Sequence, residues 1–197
     1  MAQTFEDCEF VCVDDGSTDG TPDVLARYAA LDGRIRIVRI EHAGLSVARN
    51  IGVKAARAGL ISFVDGDDVV SPDYVRALYA TYVSGGAGRR MAMVHAKSVN
   101  PSEVPVVWAD PNETDIERLS REEVQRRLLL KSIGPASWAR LAPRELYEEF
   151  PFAPGMLLED RYAAPDHLSW PDEALALRDS GASLPLRPTS KSVKAFC

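Results

Sequence analysis

Val13-Asp14-Asp15-Gly16-Ser17-Thr18-Asp19-Gly20-Thr21 and, further along, Phe63-Val64-Asp65-Gly66-Asp67-Asp68 each set an acidic loop directly after a short apolar run. Glu9-Phe10-Val11-Cys12-Val13 leads into the first and Leu60-Ile61-Ser62-Phe63-Val64 into the second. Both runs have the length and β-branched content of buried parallel strands, and the segment after each loop reads as a helix. Strand, loop and helix in that order give an α/β fold, and such sheets bind ligands at the carboxyl ends of their strands. Crowded carboxylates need a cation among them, so the pattern predicts a divalent metal beside a phosphorylated ligand.

Working outward, a helix starts at Thr21-Pro22, a hydroxyl N-cap followed by proline, and stops before Asp32-Gly33. Residues 34–40 alternate and belong nearer a sheet edge. Ser46 to Ala58 reads as a helix with Val47, Ile51 and Ala55 on one face and Gly59 at its C-cap. Ser71-Pro72-Asp73 opens another helix, ending near Val83. Met91–His95 and Val104–Trp108 read as strands, the second weakened by Pro105. A charged helix covers 120–131, with Val124, Leu128 and Leu129 on one face. From Pro165 onward the pattern fails, leaving one short helix near 172–179 and a Pro/Ser-rich, largely disordered tail.

The length of 197 residues suits one domain with a short appendage. A net charge of -6 with scattered arginines excludes a general nucleic-acid binder. Three cysteines without CxxC or zinc spacing exclude a disulfide framework and a structural zinc. Neither a signal peptide nor a long apolar run is evident, so the expected compartment is the cytoplasm.

Two alternatives for the acidic loops fail on spacing. An EF-hand beginning at Asp15 needs glutamate at its twelfth position, which is Ala26, and a helix where a strand is read. A Walker-type nucleotide site needs GxxxxGK[ST], which is absent. Asp19-Gly20-Thr21 is turn chemistry. Arg49 lies in the first turn of its helix, where it could serve an anion such as a diphosphate, or pair with a loop carboxylate. Glu159-Asp160, after an apolar stretch, could supply a general base or be a solvated pair.

The two acidic motifs, with Gly44-Leu45-Ser46-Val47-Ala48-Arg49-Asn50-Ile51-Gly52 between them, resemble family 2 glycosyltransferases with the GT-A fold. Gly134–Leu141 and Phe152–Asp160 are similar to the acceptor-side half of the bacterial polysaccharide branch. The resemblance covers roughly residues 3–162. It implies a mostly parallel, Rossmann-like sheet flanked by helices, followed by a divergent tail over 163–197. It also implies inverting transfer from a nucleotide-sugar, UDP-linked by preference, to a saccharide or lipid-linked acceptor in cell-surface glycan synthesis. On this basis Asp15, helped by Asp14, would bind the nucleobase, and Arg49 would lie against the nucleotide and diphosphate. Asp65 and Asp67 would form the DxD motif, Asp67 ligating Mn²⁺ or Mg²⁺ and Asp65 lying nearer the ribose. Asp160, with Glu159 beside it, would be the base. A lipid-linked acceptor would bring the protein to the inner face of the membrane.

The chain departs from that family at both ends. Its start resembles the end of the family's first βα unit, so the usual first strand, between strands 9–13 and 60–64, is expected to be lacking. Strands lie about 4.8 Å apart, so its loss leaves a gap of nearly 10 Å or forces a new pairing. The competing expectation is a non-catalytic, truncated remnant without transferase activity.

Overall fold

The computed structural model describes residues 3–94 and 115–177, and the backbone of 194–196. In chain order these form β1 (Phe10–Asp15), α1 (Thr21–Leu31), β2 (Ile35–Ile40), α2 (Leu45–Ala55), β3 (Leu60–Ile61), β4 (Phe63–Val64), α3 (Tyr74–Val83) and β5 (Arg90–Val94). Then come β6 (Ile116–Ser120), α4 (Arg121–Leu129), β7 (Arg140–Pro143), α5 (Arg144–Glu149), α6 (Glu159–Ser169), β8 (Glu173–Leu177) and β9 (Lys194–Phe196). The strand expected over Val104–Trp108 lies outside the described residues.

The α/β class holds, and helices flank two sheets, ordered β2-β1-β9-β4 and β3-β7-β5-β8-β6. Strand β2 takes an edge, as its alternation predicts, pairing in parallel with β1 from Phe10↔Ile35 to Asp15↔Ile40. β5 and β8 are also parallel. The other described pairings are antiparallel, so the sheets are more mixed than the expected mostly parallel arrangement.

The run 60–64 is the reason for part of this mixture. It divides at Ser62: β3 pairs with β7, while β4 pairs with β9. β9 lies between β1 and β4, running antiparallel to both neighbours. A cavity of about 330 Å³ is lined by Cys8, Val11, Leu60 and Ile61, among others.

Local signals account for several boundaries. α1 begins at Thr21 with Gly20 at its N-cap and no side-chain cap, so the expected threonine cap is not formed; Asp19 Oδ1 accepts the Thr21 N–H at 3.0 Å in the turn just before the helix. Ser120 Oγ caps α4 by accepting the Glu123 N–H. Val124 is buried as expected, whereas Leu129 is 82% exposed. Residues 163–177 carry regular structure. α6 continues through Pro165 because Ala163, Ala164, His167 and Leu168 bury against the core. Glu173–Leu177, read from sequence as a helix, is a strand because β5 and β6 bracket it on both sides. The main core gathers Phe63, Tyr147, Phe152 and Leu168 with the apolar residues of β1 and α2.

Candidate functional site

α2 follows Gly44, whose φ of 90° lets the chain turn sharply from the β2 loop into the helix. The helix does not bury the face that apolar spacing suggests. Val47, Ile51 and Ala55 are half-buried, while Ser46, Ala48, Arg49, Gly52 and Val53 point inward. Arg49 is therefore a fully buried guanidinium, 0% exposed. Such a charge is tolerated only where counter-charges surround it.

Three carboxylates supply them. Arg49 Nη1 donates to Glu159 Oε1 at 2.8 Å and to Asp160 Oδ1 at 2.6 Å, and Nη2 to Asp65 Oδ1 at 3.3 Å. The Phe63 and Phe152 rings lie 5.7 and 5.1 Å from its guanidinium carbon, close enough for cation–π attraction. Arg49 is thus the cation among Asp65, Glu159 and Asp160. It joins the loop after β4 to the start of α6.

α6 presents Glu159 and Asp160 in its first turn, where the helix dipole favours anions. Leu158 delivers them from a left-handed backbone conformation, φ 63° and ψ 45°. Such geometry in a leucine costs on the order of 1–3 kcal/mol and clusters at functional sites. Ser137, 2% exposed, donates its hydroxyl to Asp160 Oδ1 at 2.6 Å. Both hydrogen bonds that Asp160 accepts from described residues fall on Oδ1, leaving Oδ2 open. Asn50 completes the frame, its side chain bonding both the N–H and the carbonyl of Phe152.

The remaining expected site residues are placed differently. Asp14 is 1% exposed, accepts the Ser17 N–H at 2.9 Å and lies 3.6 Å from Arg39 Nε. Asp15 accepts the Ala43 and Gly44 N–H groups, one on each carboxylate oxygen, at 2.7 and 2.9 Å. These two residues brace the first acidic loop against the entrance to α2. Gly16 serves the same junction: at φ +72°, a Cβ there would lie 2.8 Å from the His42 nitrogen. Asp67 is half-buried, and no hydrogen bond or ion pair from the described residues engages its carboxylate.

Sequence reasoning missed Ser137, Asn50 and the burial of Arg49. Asn50 lies in the Gly44–Gly52 motif and Ser137 in the Gly134–Leu141 motif, so both could have been suspected, but nothing in either motif picks out the one side chain. Burial also depresses His167, whose Nε2–H donates to the Phe150 carbonyl at 2.8 Å, below the ordinary histidine value. Burial raises Tyr147 well above the usual phenol range.

Among the described residues no group of three or more His, Cys, Asp or Glu side chains converges to hold a metal. Asp67 and Asp65 offer the roughly one or two carboxylates that a Mg²⁺-type ion takes from protein when substrate phosphates complete its shell, so the donor set fits. No helix among the described residues is long and apolar enough to cross a membrane.

The chain is similar to known proteins in sequence and in fold. The model of the glycosyl transferase family 2 matches residues 1–150. Glycosyltransferase GlyA of Streptococcus pneumoniae is 32% identical over 168 residues, which is 82% of this chain and 24% of its own. The succinoglycan biosynthesis protein ExoO of Rhizobium meliloti is 39% identical over 88 residues, 44% of this chain and 25% of its own. Among solved structures, S. aureus TarS 1-349 in complex with UDP-GlcNAc has a TM-score of 0.76 at 18% identity, covering 96% of this chain and 53% of that one. The chain thus spans about a quarter of the length of each of these curated relatives.

Proposed function

The chain belongs to glycosyltransferase family 2, and from that premise we propose that it serves inverting transfer of a sugar from a nucleotide-sugar, a UDP-sugar by preference, to a saccharide or lipid-linked acceptor. The similarity to the succinoglycan biosynthesis protein ExoO supports polysaccharide synthesis as the setting, and the UDP-GlcNAc complex of TarS supports the donor class.

One observation carries the reading. Asp160 is fixed through Oδ1 by Arg49 and Ser137 while Oδ2 stays open, the arrangement a general base needs. In this reading Oδ2 takes the proton of an acceptor hydroxyl. The freed oxygen bonds to the anomeric carbon from the face opposite the leaving group. The bond from that carbon to the diphosphate oxygen breaks, and the nucleoside diphosphate leaves with the electron pair. Asp67 and Asp65 would hold Mn²⁺ or Mg²⁺, which when bound neutralises charge on the diphosphate. In this reading Arg49, buried among three carboxylates, positions Asp160 and Asp65, and its burial supports that role over direct contact with the diphosphate. Asp15 and Asp14 shape the nucleobase side through the loop they brace.

The test is UDP titration with and without Mn²⁺, followed by sugar release from UDP-sugars. Metal-dependent UDP binding is expected, and binding to no nucleoside diphosphate would remove the reading. A non-transferring remnant is the second reading. It is favoured by β9 occupying the slot between β1 and β4 and by the full engagement of the Asp15 carboxylate. UDP binding without any sugar release would select it.

A further inference from the structure

Arg140 on β7 is a second buried arginine, and its charge is not balanced as that of Arg49 is. It is 5% exposed, and among the described residues no carboxylate lies within ion-pairing distance. Its Nη2 donates to the Gly134 carbonyl, which answers one of five N–H donors. Burial pushes its affinity for a proton down, and the opposing charge named nearby, Asp160, is already held by Arg49.

Arg140 and Gly134 both line a cavity of about 280 Å³, walled also by Trp138, Ile133 and Met93. Arg127 reaches the same cavity but is neutralised by Glu117 and Glu123, and Glu123 also holds Arg126. The unmatched positive charge is therefore that of Arg140. A buried cation without a partner is unfavourable, so an anion entering this cavity would find a desolvated, pre-set counter-charge. The cavity also adjoins the site. Trp138 follows Ser137, whose hydroxyl holds Asp160, and its backbone bridges Phe63, two residues before Asp65.

We propose that this cavity is a subsite for an anionic group, a carboxylate or a phosphate, on the acceptor glycan, with Arg140 as counter-charge and Trp138 as an aromatic wall. The acceptor assignment rests on the function proposed above, while the anion site stands on Arg140 and the cavity.

The experiment is calorimetric titration of the chain with inorganic phosphate, glucuronate and glucose, with UDP titrated separately. Anion binding at millimolar concentrations is expected, with glucose inert. Arg140→Gln should weaken it about ten- to hundredfold, the range for one hydrogen bond to a charged group. Asp15→Asn should leave anion binding unchanged, which separates the subsite from the donor side. Tighter phosphate identifies a phosphate-bearing acceptor, and tighter glucuronate a uronic acid. If Arg140→Gln does not fold, Ile133→Trp, which adds bulk to the lining of the cavity, should abolish binding. No anion binding, equal binding of glucose, or anion binding unchanged in whichever of these variants folds overturns the proposal. UDP binding without anion binding sinks this subsite alone, and the converse sinks the donor reading alone.

Discussion

Arg49 Nη1 lies 2.6 Å from Asp160 Oδ1, although 111 residues separate them in the chain. The contact ties the middle of the first acidic half to the start of α6, and Glu159 and Asp65 join it at 2.8 and 3.3 Å. A guanidinium has the rigid fork needed to meet several carboxylates at once, which an ammonium lacks. Because the group is 0% exposed, solvent cannot replace a lost partner. The geometry of the proposed base and of the DxD loop therefore depends on one side chain.

Removing that charge should cost more than any surface pair. Arg49→Met keeps the stem but leaves Asp65, Glu159 and Asp160 crowded without a cation. Breaking a buried ion pair in this way destabilises by about 3–5 kcal/mol. Arg49→Lys should recover only part of the loss. Urea denaturation midpoints of the three proteins decide it, and a change within about 1 kcal/mol for Arg49→Met would show the cluster to be solvent-screened.

How much of this was legible in the sequence varies with the type of signal. α1, α3 and β5 follow apolar runs and turn residues closely. β6 was hidden because Ile116-Glu117-Arg118-Leu119-Ser120 alternates poorly and carries charge. β7 begins with Arg140, a charged residue in a buried strand. Glu173-Ala174-Leu175-Ala176-Leu177 has helical propensity, and pairing on both edges overrides it. For the site, the residue types at 49, 65, 159 and 160 could be read. That Arg49 turns into the core could not, since only the three-dimensional meeting of its carboxylates makes its burial tolerable. The filling of the β1/β4 slot by β9 was equally out of reach, because strand order is a long-range property.

Stability should fall in mild acid. His167 is buried with a depressed proton affinity, facing Arg140 on β7, Tyr147 on α5 and Asp160 and Asp166 on its own helix. The unfolded chain takes up a proton near the ordinary value of 6.5 and the folded chain only at lower pH. Its contribution is thus present above 6.5 and is lost as pH falls from there toward the folded value. His167→Gln, which keeps a donor for the Phe150 carbonyl, should flatten the decline below pH 6.5. Identical pH slopes for the two proteins would assign the titration elsewhere.

The C-terminal strand should be structural. Ala195 pairs with Cys12 on one side and Val64 on the other, a central position in which proline is not accommodated. Ala195→Pro should lower stability by at least the ~1 kcal/mol net value of one ladder hydrogen bond. It should also speed hydrogen exchange at the Val11 and Val13 amides, which alternate with the Phe10 amide donated to Arg34 on the β2 side. Unchanged exchange at both amides would mean that β9 is not what protects β1.

The two acidic loops should differ in their need for metal. Asp19 accepts the Thr21 N–H in the turn before α1, while no hydrogen bond or ion pair from the described residues engages the Asp67 carboxylate. In the presence of UDP, Asp67→Asn should weaken Mn²⁺ binding more than Asp19→Asn does. Equal effects would take the ligand role from Asp67.

Asp160 separates catalysis from binding. A general base acts in the transition state, so its loss should lower turnover and leave the ground-state affinity for donor nearly intact. General-base catalysis contributes about 10²–10⁴-fold, so Asp160→Asn should lose at least the lower bound. Asn keeps the shape of Asp and an oxygen for the Ser137 hydroxyl, yet it gives up the ion pair with Arg49, so thermal melting must accompany the kinetics. Ser137→Ala provides the control that leaves the carboxylate in place. It removes one of the two hydrogen bonds on Oδ1 and should lower kcat on the order of tenfold, with UDP affinity unchanged, since a carboxylate held by Arg49 alone can swing. Turnover of Asp160→Asn within a few-fold of the parent, in a protein that melts normally, would make Glu159 and Asp160 the structural counter-ions of Arg49 and send the search for the base elsewhere.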